Sequence, residues 1–374
     1  MDKTQKLLPF FEITDQPPDD SIIHLDKKRL LEMLNNWEST QSLTQLRQEI
    51  GSLTSGSSQF FEQLTEERNN GNSVTIKRRH FIEDLEQIAA SATLERALYY
   101  VNRLIKGFTI VKTSAINDIN LNRWKEYEDI LTDSLWMIDK RDSSGVHTAN
   151  YWGNFIPQIP HQMMKRYTKT GEWVLDTFAG SGTTLIEGQR MGRNTIGIEL
   201  QERMVQHTKT LIASEPNIHN VIIDVVQDDS TQVDYRSLLH RYDQESVQLV
   251  IMHPPYFDII QFSDDPQDLS NAKSVDDFLE KMGLIVSNAS RVLDKGRYLV
   301  VVIGDKYAGG EWIPLGFQTM NLIMGMGYSL KSIIVKNFEE TSGKRNKQEL
   351  WRYRALVGGF YIFKHEYIFL FQKG

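Results

Sequence analysis

Residues 174–200 read VLDTFAGSGTTLIEGQRMGRNTIGIEL, and this stretch decides the fold. Its pattern predicts a strand over Trp173–Asp176, a glycine turn, a helix over Thr183–Met191 and a second strand over Thr195–Leu200. A strand, a helix and a strand in this order form a βαβ unit with a ligand loop at its first turn. Strands and helices alternate through the rest of this half of the chain, which predicts an α/β fold.

The glycine turn favours a nucleoside ligand without a phosphate. Gly180 and Gly182 let the backbone approach a ligand, because neither residue carries a Cβ atom. No Gly-Lys-Ser/Thr follows, which excludes a P-loop, and Leu185 stands at the third glycine position of a dinucleotide fingerprint. Glu199, near the end of the second predicted strand, offers a carboxylate that can accept both hydroxyl groups of a ribose.

A second motif, VQLVIMHPPYFDIIQF, occupies residues 247–262. The apolar run Val247–Met252 predicts a buried strand, and the tetrapeptide His253–Tyr256 (HPPY) follows its carboxyl end. In open α/β sheets, ligands bind outside the carboxyl ends of the strands. We therefore expect the glycine turn and the tetrapeptide to face one crevice.

These two motifs together resemble those of the S-adenosylmethionine-dependent DNA amino-methyltransferases, the family that methylates adenine N6 or cytosine N4. The sequence FAGSGTT at residues 178–184 matches the cofactor loop of that family. HPPY matches its catalytic (Asp/Asn/Ser)-Pro-Pro-Tyr tetrapeptide except at the first position. The resemblance covers roughly residues 120–374 and implies a Rossmann-like methyltransferase sheet of seven strands, with S-adenosylmethionine as the cofactor.

The resemblance also implies which residues bind the cofactor. The loop contributes Asp176, Phe178, Ala179, Gly180, Ser181, Gly182 and Thr183, and the next strand contributes Glu199. Asn154, Phe155 and Pro157 match the segment that packs over the methionine end. Asp229, preferred over Asp228, matches the aspartate that holds the adenine amino group. His147 lies in the same upstream segment, either at the cofactor or without a direct role.

The implied catalytic residues are His253, Pro254, Pro255 and Tyr256. An exocyclic amino nitrogen is a poor nucleophile because its lone pair is delocalised into the ring. The side chain of His253 and the carbonyl of Pro254 would accept the amino protons, while Tyr256 would stack on a base flipped out of the duplex. An imidazolium has no acceptor nitrogen, so we expect activity to fall below about pH 6.5. Asp258 could supply a second acceptor.

Composition narrows the class of protein. The chain of 374 residues has no cysteine, which excludes disulfides, thiolate metal sites and the cytosine C5 methyltransferases that attack through a cysteine. We expect a cytoplasmic protein with no metal and no membrane contact, since there is neither a signal peptide nor an apolar run of roughly 18 residues. The formal net charge is -7, so contact with DNA must come from local basic patches.

Two domains and two basic patches are expected. A helical N-terminal domain over residues 1–115 would serve DNA recognition or partner contact, and residues 116–374 would form the catalytic domain. The first patch is Lys77, Arg78 and Arg79, where a solvated helix start is the more common explanation. The second is a basic loop with aromatic residues at 342–354, which contains Lys344, Arg345, Lys347 and Arg352.

The function expected is site-specific methylation of double-stranded DNA, in restriction-modification or phage defence, by a homodimer or with a partner subunit. Two alternatives stay open. Some tRNA guanine-N2 methyltransferases resemble this pattern with Asn-Pro-Pro-Tyr, which suggests an RNA amino-methyltransferase. The departure at His253 is also consistent with a non-catalytic DNA-binding subunit that depends on a partner.

Overall fold

The chain divides into two units, and each unit has its own apolar core. The computed structural model describes residues 20–55, 72–148, 153–338 and 348–374. The first unit extends to residue 113 and includes 120–128, whereas the second contains 114–119 and 129–374. This division differs from the expected border at residues 115 and 116. Residues 120–128 belong to the first unit because Arg123 donates to the carbonyl of Thr75 and Lys125 pairs with Asp84.

The first unit combines helices with a small sheet. Its main elements are β1 (Ile22–Asp26), α1 (Lys27–Glu38), α2 (Leu43–Ser55), β2 (Ser73–Lys77), α3 (Arg78–Ala89) and α4 (Leu94–Thr109). Strands β1 and β2 pair antiparallel, with Leu25 opposite Val74. The sequence predicted only helices here, because strands of five residues are too short to show a clear alternation beside strongly helical segments.

The second unit alternates strands and helices. Its elements are β3 (Leu135–Trp136), α5 (Gln158–Tyr167), β4 (Trp173–Asp176), α6 (Thr183–Met191), β5 (Asn194–Glu199), α7 (Glu202–Ser214), β6 (Ile223–Gln227), α8 (Tyr235–His240), β7 (Val247–Met252), α9 (Val275–Ser290), β8 (Leu293–Ile303), β9 (Lys306–Ala308), β10 (Glu311–Ile313), α10 (Leu315–Gly325), β11 (Ser329–Asn337), α11 (Gln348–Gly358) and β12 (His365–Gln372).

The described residues of this unit form a sheet of eight strands in the spatial order β6-β5-β4-β7-β8-β12-β11-β3. The strands from β6 to β8 are parallel, and β12 runs antiparallel to both of its neighbours. The structure thus confirms the α/β sheet, and it shows that the final strand is antiparallel to its neighbours. It adds one strand to the expected seven, the two-residue β3, which pairs with Val335 and Lys336 at the edge.

Strand β7 shows why the central strands read as continuous apolar runs. Successive side chains of a strand point to opposite faces of its sheet. Val250 and Met252 pack into a core with α9, whereas Leu249 and Ile251 pack into a second core with α5. A parallel strand covered on both faces is apolar at nearly every position, and the exception in β7 is Gln248, which accepts from the amide of Trp173. Because β4 and β7 pair in parallel, their carboxyl ends meet at one edge of the sheet.

Candidate active site

The turn after β4 is shaped by two glycines in the left-handed region. Gly180 has a φ of 51° and Gly182 a φ of 80°. The amide of Gly182 donates to the carbonyl of Ala179 at 2.7 Å, which closes the turn. A Cβ atom on Gly182 would lie 2.5 Å from Thr208 Cγ2. The turn therefore needs glycine at this position for its conformation and for the close approach of α7.

Asp176, the last residue of β4, leaves one buried acceptor atom without a donor. Its side chain is 1% exposed, and Oδ1 accepts the amide of Phe178 at 2.8 Å. Oδ2 forms no well-aligned hydrogen bond with the described residues, although the nearby Thr184 hydroxyl interacts with the carboxyl group and opposes the effect of burial on its pKa. Burial raises the pKa of Asp176 to about 6. A buried oxygen without a donor is destabilising, so this position suits a ligand that donates a hydrogen.

Glu199, the last residue of β5, faces the same turn. Its oxygens accept the amides of Gly180 and Gln201, each at 2.9 Å. Burial raises the pKa of Glu199 to about 7, and the nearby carboxylates of Asp176 and Asp268 add to this shift. A carboxylate oxygen accepts more than one hydrogen bond. Glu199 therefore keeps the capacity to accept hydroxyl groups of a ligand.

Two glycines that the sequence analysis missed bring α6 close to β5. A Cβ atom on Gly197 would lie 2.8 Å from Leu185 Cδ1, and one on Gly188 would lie 1.9 Å from Thr195 Oγ1. In a dinucleotide fingerprint the third glycine provides this close packing of helix and strand. Here Leu185 occupies that position, and the glycine lies opposite it on the strand. A glycine inside a predicted strand or helix was the available signal.

The segment before α5 touches both motifs. The Thr183 hydroxyl, at the start of α6, donates to Asn154 Oδ1 at 2.6 Å. The next residue, Phe155, is buried, and its ring centroid lies 4.7 Å from that of His253. Pro157 precedes the first residue of α5. The guanidinium of Arg141, a residue missed from the sequence, fixes this segment by donating to the carbonyl of Phe155 at 2.7 Å.

His147 and His161 bind Glu187 on α6. His147 is buried, and its Nε2 lies 2.7 Å from Glu187 Oε1, while His161 Nδ1 lies 2.9 Å from Oε2. Burial alone would raise the pKa of Glu187, but the hydrogen bonds from the two histidines outweigh it and lower the pKa to about 2. These contacts favour the interpretation of His147 as a residue without a direct role at the cofactor, since His147 links its own segment to α6.

Asp229 is engaged within its own turn after β6. Its two oxygens accept the amide and the hydroxyl of Thr231, at 2.9 and 2.7 Å. The neighbouring Ser230 hydroxyl donates to the carbonyl of Thr177 at 2.7 Å, which ties this turn to the glycine turn. The preference for Asp229 over Asp228 at the cofactor stays a prediction.

The tetrapeptide follows β7 and is anchored by its tyrosine. His253 Nε2 lies 3.2 Å from the Tyr256 hydroxyl, which donates to Glu366 Oε2 on β12 at 2.8 Å. A Cβ atom on Gly304 would lie 2.9 Å from Tyr256 Cε2, so glycine makes room for the ring. Asp258 is ion-paired with Lys306, and its role as a second acceptor stays a prediction.

His253 is neutral over a wider pH range than the sequence suggested. Burial lowers the pKa of its imidazole to about 4 and outweighs the nearby carboxylate of Glu366, while the ammonium of Lys336 lowers the pKa further. The expected loss of activity below about pH 6.5 rested on an unperturbed histidine. With the lowered pKa of His253, we expect this loss near pH 4 instead.

A family model described as DNA methylase matches residues 55–210 and 247–374. The chain belongs to this DNA methylase family. Its curated relatives include the Type II methyltransferase M.MjaII of Methanocaldococcus jannaschii, with 38% identity over 20% of this chain and 16% of that protein. M.MthZI, a Type II methyltransferase of Methanothermobacter thermautotrophicus, is 33% identical over 27% of this chain and 28% of its own length. This methylase therefore matches less than two thirds of either relative.

RNA enzymes also occur among the relatives of the methylase. A tRNA (guanine(10)-N2)-dimethyltransferase of Methanothermobacter thermautotrophicus is 28% identical over 49% of this chain and 52% of that protein. Among solved structures, TrmN from Thermus thermophilus aligns with a TM-score of 0.37 and 14% identity over 59% of this chain and 49% of that chain.

The cofactor of the methylase is S-adenosylmethionine. The described residues fit this molecule, because Asp176 Oδ2 lacks a donor that an amino group would supply, and Glu199 faces the turn with acceptor capacity for hydroxyl groups. Within the described ranges, no group of three or more His, Asp or Glu residues is arranged to hold a metal ion. No helix in the same ranges is long and apolar enough to cross a membrane.

The first basic patch of the methylase is neutralised by carboxylates within its own unit. Lys77 and Arg79 both pair with Glu128, and Arg79 also pairs with Asp20 at 2.8 Å. Hydrogen bonds from Lys77, His80 and Arg79 lower the pKa of Glu128 to about 2. Arg78 opens helix α3 beside them. These ion pairs favour a helix start held by carboxylates, and a DNA contact at Lys77 and Arg79 stays a prediction.

The second basic patch is helical where the structure describes it. Lys344, Arg345 and Lys347 lie outside the described residues. From Gln348 onwards the expected loop is helix α11, and Arg352 is exposed on it. The guanidinium of Arg354 lies 5.2 Å from the centroid of the Trp351 ring, a cation–π contact.

Proposed function

We propose that this methylase transfers the methyl group of S-adenosylmethionine to the exocyclic amino nitrogen of adenine or cytosine in double-stranded DNA. The observation that carries this proposal is the parallel pairing of β4 with β7, in which Asp176 lies opposite Ile251. Because the strands are neighbours with the same direction, the glycine turn and the tetrapeptide emerge at one edge of the sheet. The contact between Phe155 and His253 supports this arrangement.

The cofactor-binding residues are proposed from the geometry of the turn. Asp176 would accept a hydrogen bond from an amino group of the cofactor. Glu199 would accept hydrogen bonds from the ribose hydroxyls of the cofactor. Asn154, Phe155 and Pro157 would pack over the methionine end, and Asp229 would hold the adenine amino group. The backbone of residues 178–183 would line the rest of the site. When bound, S-adenosylmethionine supplies an electrophilic methyl group on its sulfonium.

The tetrapeptide would make the target nitrogen nucleophilic. Neutral His253 and the carbonyl of Pro254 would each accept a hydrogen bond from one N–H of the amino group, which draws the nitrogen lone pair back from the ring, and one of these protons leaves as the methyl group is transferred. The rings of Pro254 and Pro255 restrict φ and keep the acceptors in place. Tyr256, anchored at its hydroxyl, would present its ring to a flipped base. Positioning and electrostatics suffice, with no covalent enzyme intermediate.

The test is methyl transfer from cofactor labelled on its methyl group to genomic DNA and, in parallel, to tRNA. Digestion to nucleosides then identifies the labelled base. Label in N6-methyladenine or N4-methylcytosine nucleosides supports the proposal, and His253→Ala should abolish it. The description of the matching family as DNA methylase supports DNA as the substrate, and the likeness to two Type II methyltransferases motivates a proposed role in restriction-modification.

The tRNA dimethyltransferase relative supports a second candidate, an RNA amino-methyltransferase. Label on guanine of tRNA with none on DNA would favour it over the first proposal. Retention of cofactor without label on either nucleic acid would instead favour a non-catalytic subunit that works with a partner.

A further inference from the structure

His253 differs from the usual first residue of the tetrapeptide in one chemical respect. Aspartate, asparagine and serine always present an acceptor oxygen, whereas a neutral imidazole has one nitrogen that donates and one that accepts. The hydrogen bond made by one nitrogen decides which of the two carries the proton. The acceptor on which the proposed reaction depends is therefore set by the partners of His253.

A chain of hydrogen bonds leads from His253 to a buried ion pair. His253 Nε2 lies 3.2 Å from Tyr256 Oη, and Tyr256 Oη lies 2.8 Å from Glu366 Oε2. The other carboxylate oxygen, Glu366 Oε1, lies 2.9 Å from Lys336 Nζ. No described residue forms a hydrogen bond with His253 Nδ1.

The charges of Lys336 and Glu366 determine which atom donates and which accepts in every hydrogen bond of this series. The ammonium of Lys336 only donates, and the carboxylate of Glu366 only accepts. The single hydroxyl proton of Tyr256 therefore points to Glu366. Its oxygen is left to accept from His253, so Nε2 must carry the imidazole proton. The lone pair is then on Nδ1.

We propose that Glu366 is a positioning residue that holds His253 in the Nε2–H tautomer, so that Nδ1 accepts an amino proton of the target base. Nδ1 is bonded to Cγ, as is Oδ1 of an asparagine or aspartate side chain. This tautomer thus places an acceptor where the usual tetrapeptide has one. The inference rests on the proposed function for the role of Nδ1, but the tautomer itself does not depend on turnover.

The fold explains how Glu366 is held. Lys336 on β11 and Glu366 on β12 are directly opposite each other in the antiparallel ladder, and they are 5% and 8% exposed. Between Glu366 and Phe371, the other residues of β12 are buried and apolar or aromatic. Ion pairs in such surroundings are costly to desolvate and often contribute little stability. A role in orienting Tyr256 gives a physical reason for this pair.

Glu366→Gln tests the proposal because it exchanges donor and acceptor in the hydrogen bonds that connect residue 366, Tyr256 and His253. Since Lys336 only donates, the amide oxygen of the new side chain faces Lys336 and its NH₂ group faces Tyr256. Tyr256 must then donate to His253 Nε2, which moves the imidazole proton to Nδ1. We expect ¹⁵N NMR to show protonated Nε2 in the parent protein and protonated Nδ1 in the variant, with methyl transfer about 10²-fold slower.

Two further variants make the measurement specific. The chain has nine histidines, and the spectrum of His253→Asn identifies the signals of His253 by their loss. Asp224→Asn is the matched control, because Asp224 accepts from the Tyr242 hydroxyl in a similar carboxylate–tyrosine pair at another strand. It should leave both the His253 signals and the transfer rate unchanged.

An asparagine at position 253 has no tautomers, so Glu366→Gln should lose its effect on the rate in the His253→Asn background. A purely structural role of Glu366 predicts the same rate loss in both backgrounds and would overturn the proposal. Protonated Nδ1 in the parent protein, or an unchanged tautomer in Glu366→Gln, would also overturn it. If the tautomer switches but the parent protein methylates no nucleic acid, the tautomer assignment stands and the proposed function fails.

Discussion

The partly buried imidazole of His253 makes the acid limit of catalysis a property of one residue. Its pKa of about 4 lies below the ordinary histidine value of 6.5, so it stays neutral at proton concentrations a few hundred times higher than an exposed histidine tolerates. At saturating cofactor, we expect kcat to stay level from about pH 8 to 5 and to fall as the pH drops through about 4. Protonation there removes the acceptor lone pair.

The pH profile of kcat in the His253→Asn variant provides the control. An asparagine does not titrate, so the fall near pH 4 should disappear from its profile if the protein remains folded. A fall near pH 6.5 that depends on His253 would contradict the structure, since it would require a solvated imidazole.

Asp176 and Glu199 should make cofactor binding dependent on pH in a different range. Their pKa values in the free protein are raised to about 6 and about 7 by burial. Donors from the cofactor would favour the ionised carboxylates, so affinity should be highest above about pH 7 and decline as the pH falls through 7 and then 6. Calorimetry in buffers of different ionisation enthalpy would detect protons released on binding at pH 6.

Glu199→Gln should remove the upper of these two steps and leave the lower one. An affinity that is constant between pH 5.5 and 8, measured at about the same ionic strength, would show that neither carboxylate meets the cofactor.

The buried carboxylate of Asp176 should also lower the free energy of unfolding when the cofactor is absent. Because its pKa is raised in the folded protein, its contribution to stability is greatest below the unfolded pKa and is lost as the pH rises through about 6. Asp176→Asn keeps an oxygen for the amide of Phe178 and removes the buried charge. At pH 8 we expect up to about 3 kcal/mol more stability for the free protein, together with weaker cofactor binding.

Denaturant unfolding at pH 8 and pH 4.5 tests this prediction, since the gain from Asp176→Asn should fall to about a third at the lower pH. Equal gains at both values would point to packing rather than charge as the cause.

At the scale of elements, the contact between α6 and β5 depends on glycine. A methyl group at position 188 would meet Thr195 Oγ1 at 1.9 Å and must push the helix from the strand. We expect Gly188→Ala to lower the free energy of unfolding by about 1–3 kcal/mol, and to weaken cofactor binding because α6 begins at the glycine turn.

Gly283→Ala is the matched control within helix α9. A Cβ atom there would meet only Leu322, at 3.8 Å, which is ordinary contact. Because alanine favours helices over glycine, this variant should gain about 0.5–1 kcal/mol. Similar stability changes in the two variants would show that the close approach is not the cause.

At the scale of the whole molecule, a formal charge of -7 gives no general attraction to DNA. If the proposed function holds, binding must rely on local cations such as the exposed Arg352 on α11. Arg352→Ala should weaken DNA binding and reduce the slope of log K against log salt by about 1. Lys77→Ala is the control, and its slope should not change because Lys77 is paired with Glu128. Fluorescence anisotropy over a salt series measures both slopes.

If Lys77→Ala reduced the slope and Arg352→Ala left it unchanged, the DNA contact would lie at the start of α3. If neither variant changed the slope, the phosphate contacts would be made by residues other than Arg352 and Lys77.

Local sequence patterns suffice to predict the elements that carry the site. Strand Trp173–Asp176, helix Thr183–Met191 and strand Val247–Met252 have in the structure the bounds predicted for them. Apolar runs, helical spacing and glycine turns act within short windows, so a single sequence displays them. The pairing of the two motifs also followed, since a parallel sheet brings the carboxyl ends of its strands together.

Only the tertiary structure decided which partners the side chains find. Glu366 meets Tyr256 across 110 residues of sequence, and Glu128 neutralises Lys77 across 51. The pKa of His253 near 4 arises from burial by segments distant in the chain. Desolvation and charge pairing depend on everything that surrounds a group in space, whereas the local pattern around HPPY or around Lys77 records only its neighbours in sequence.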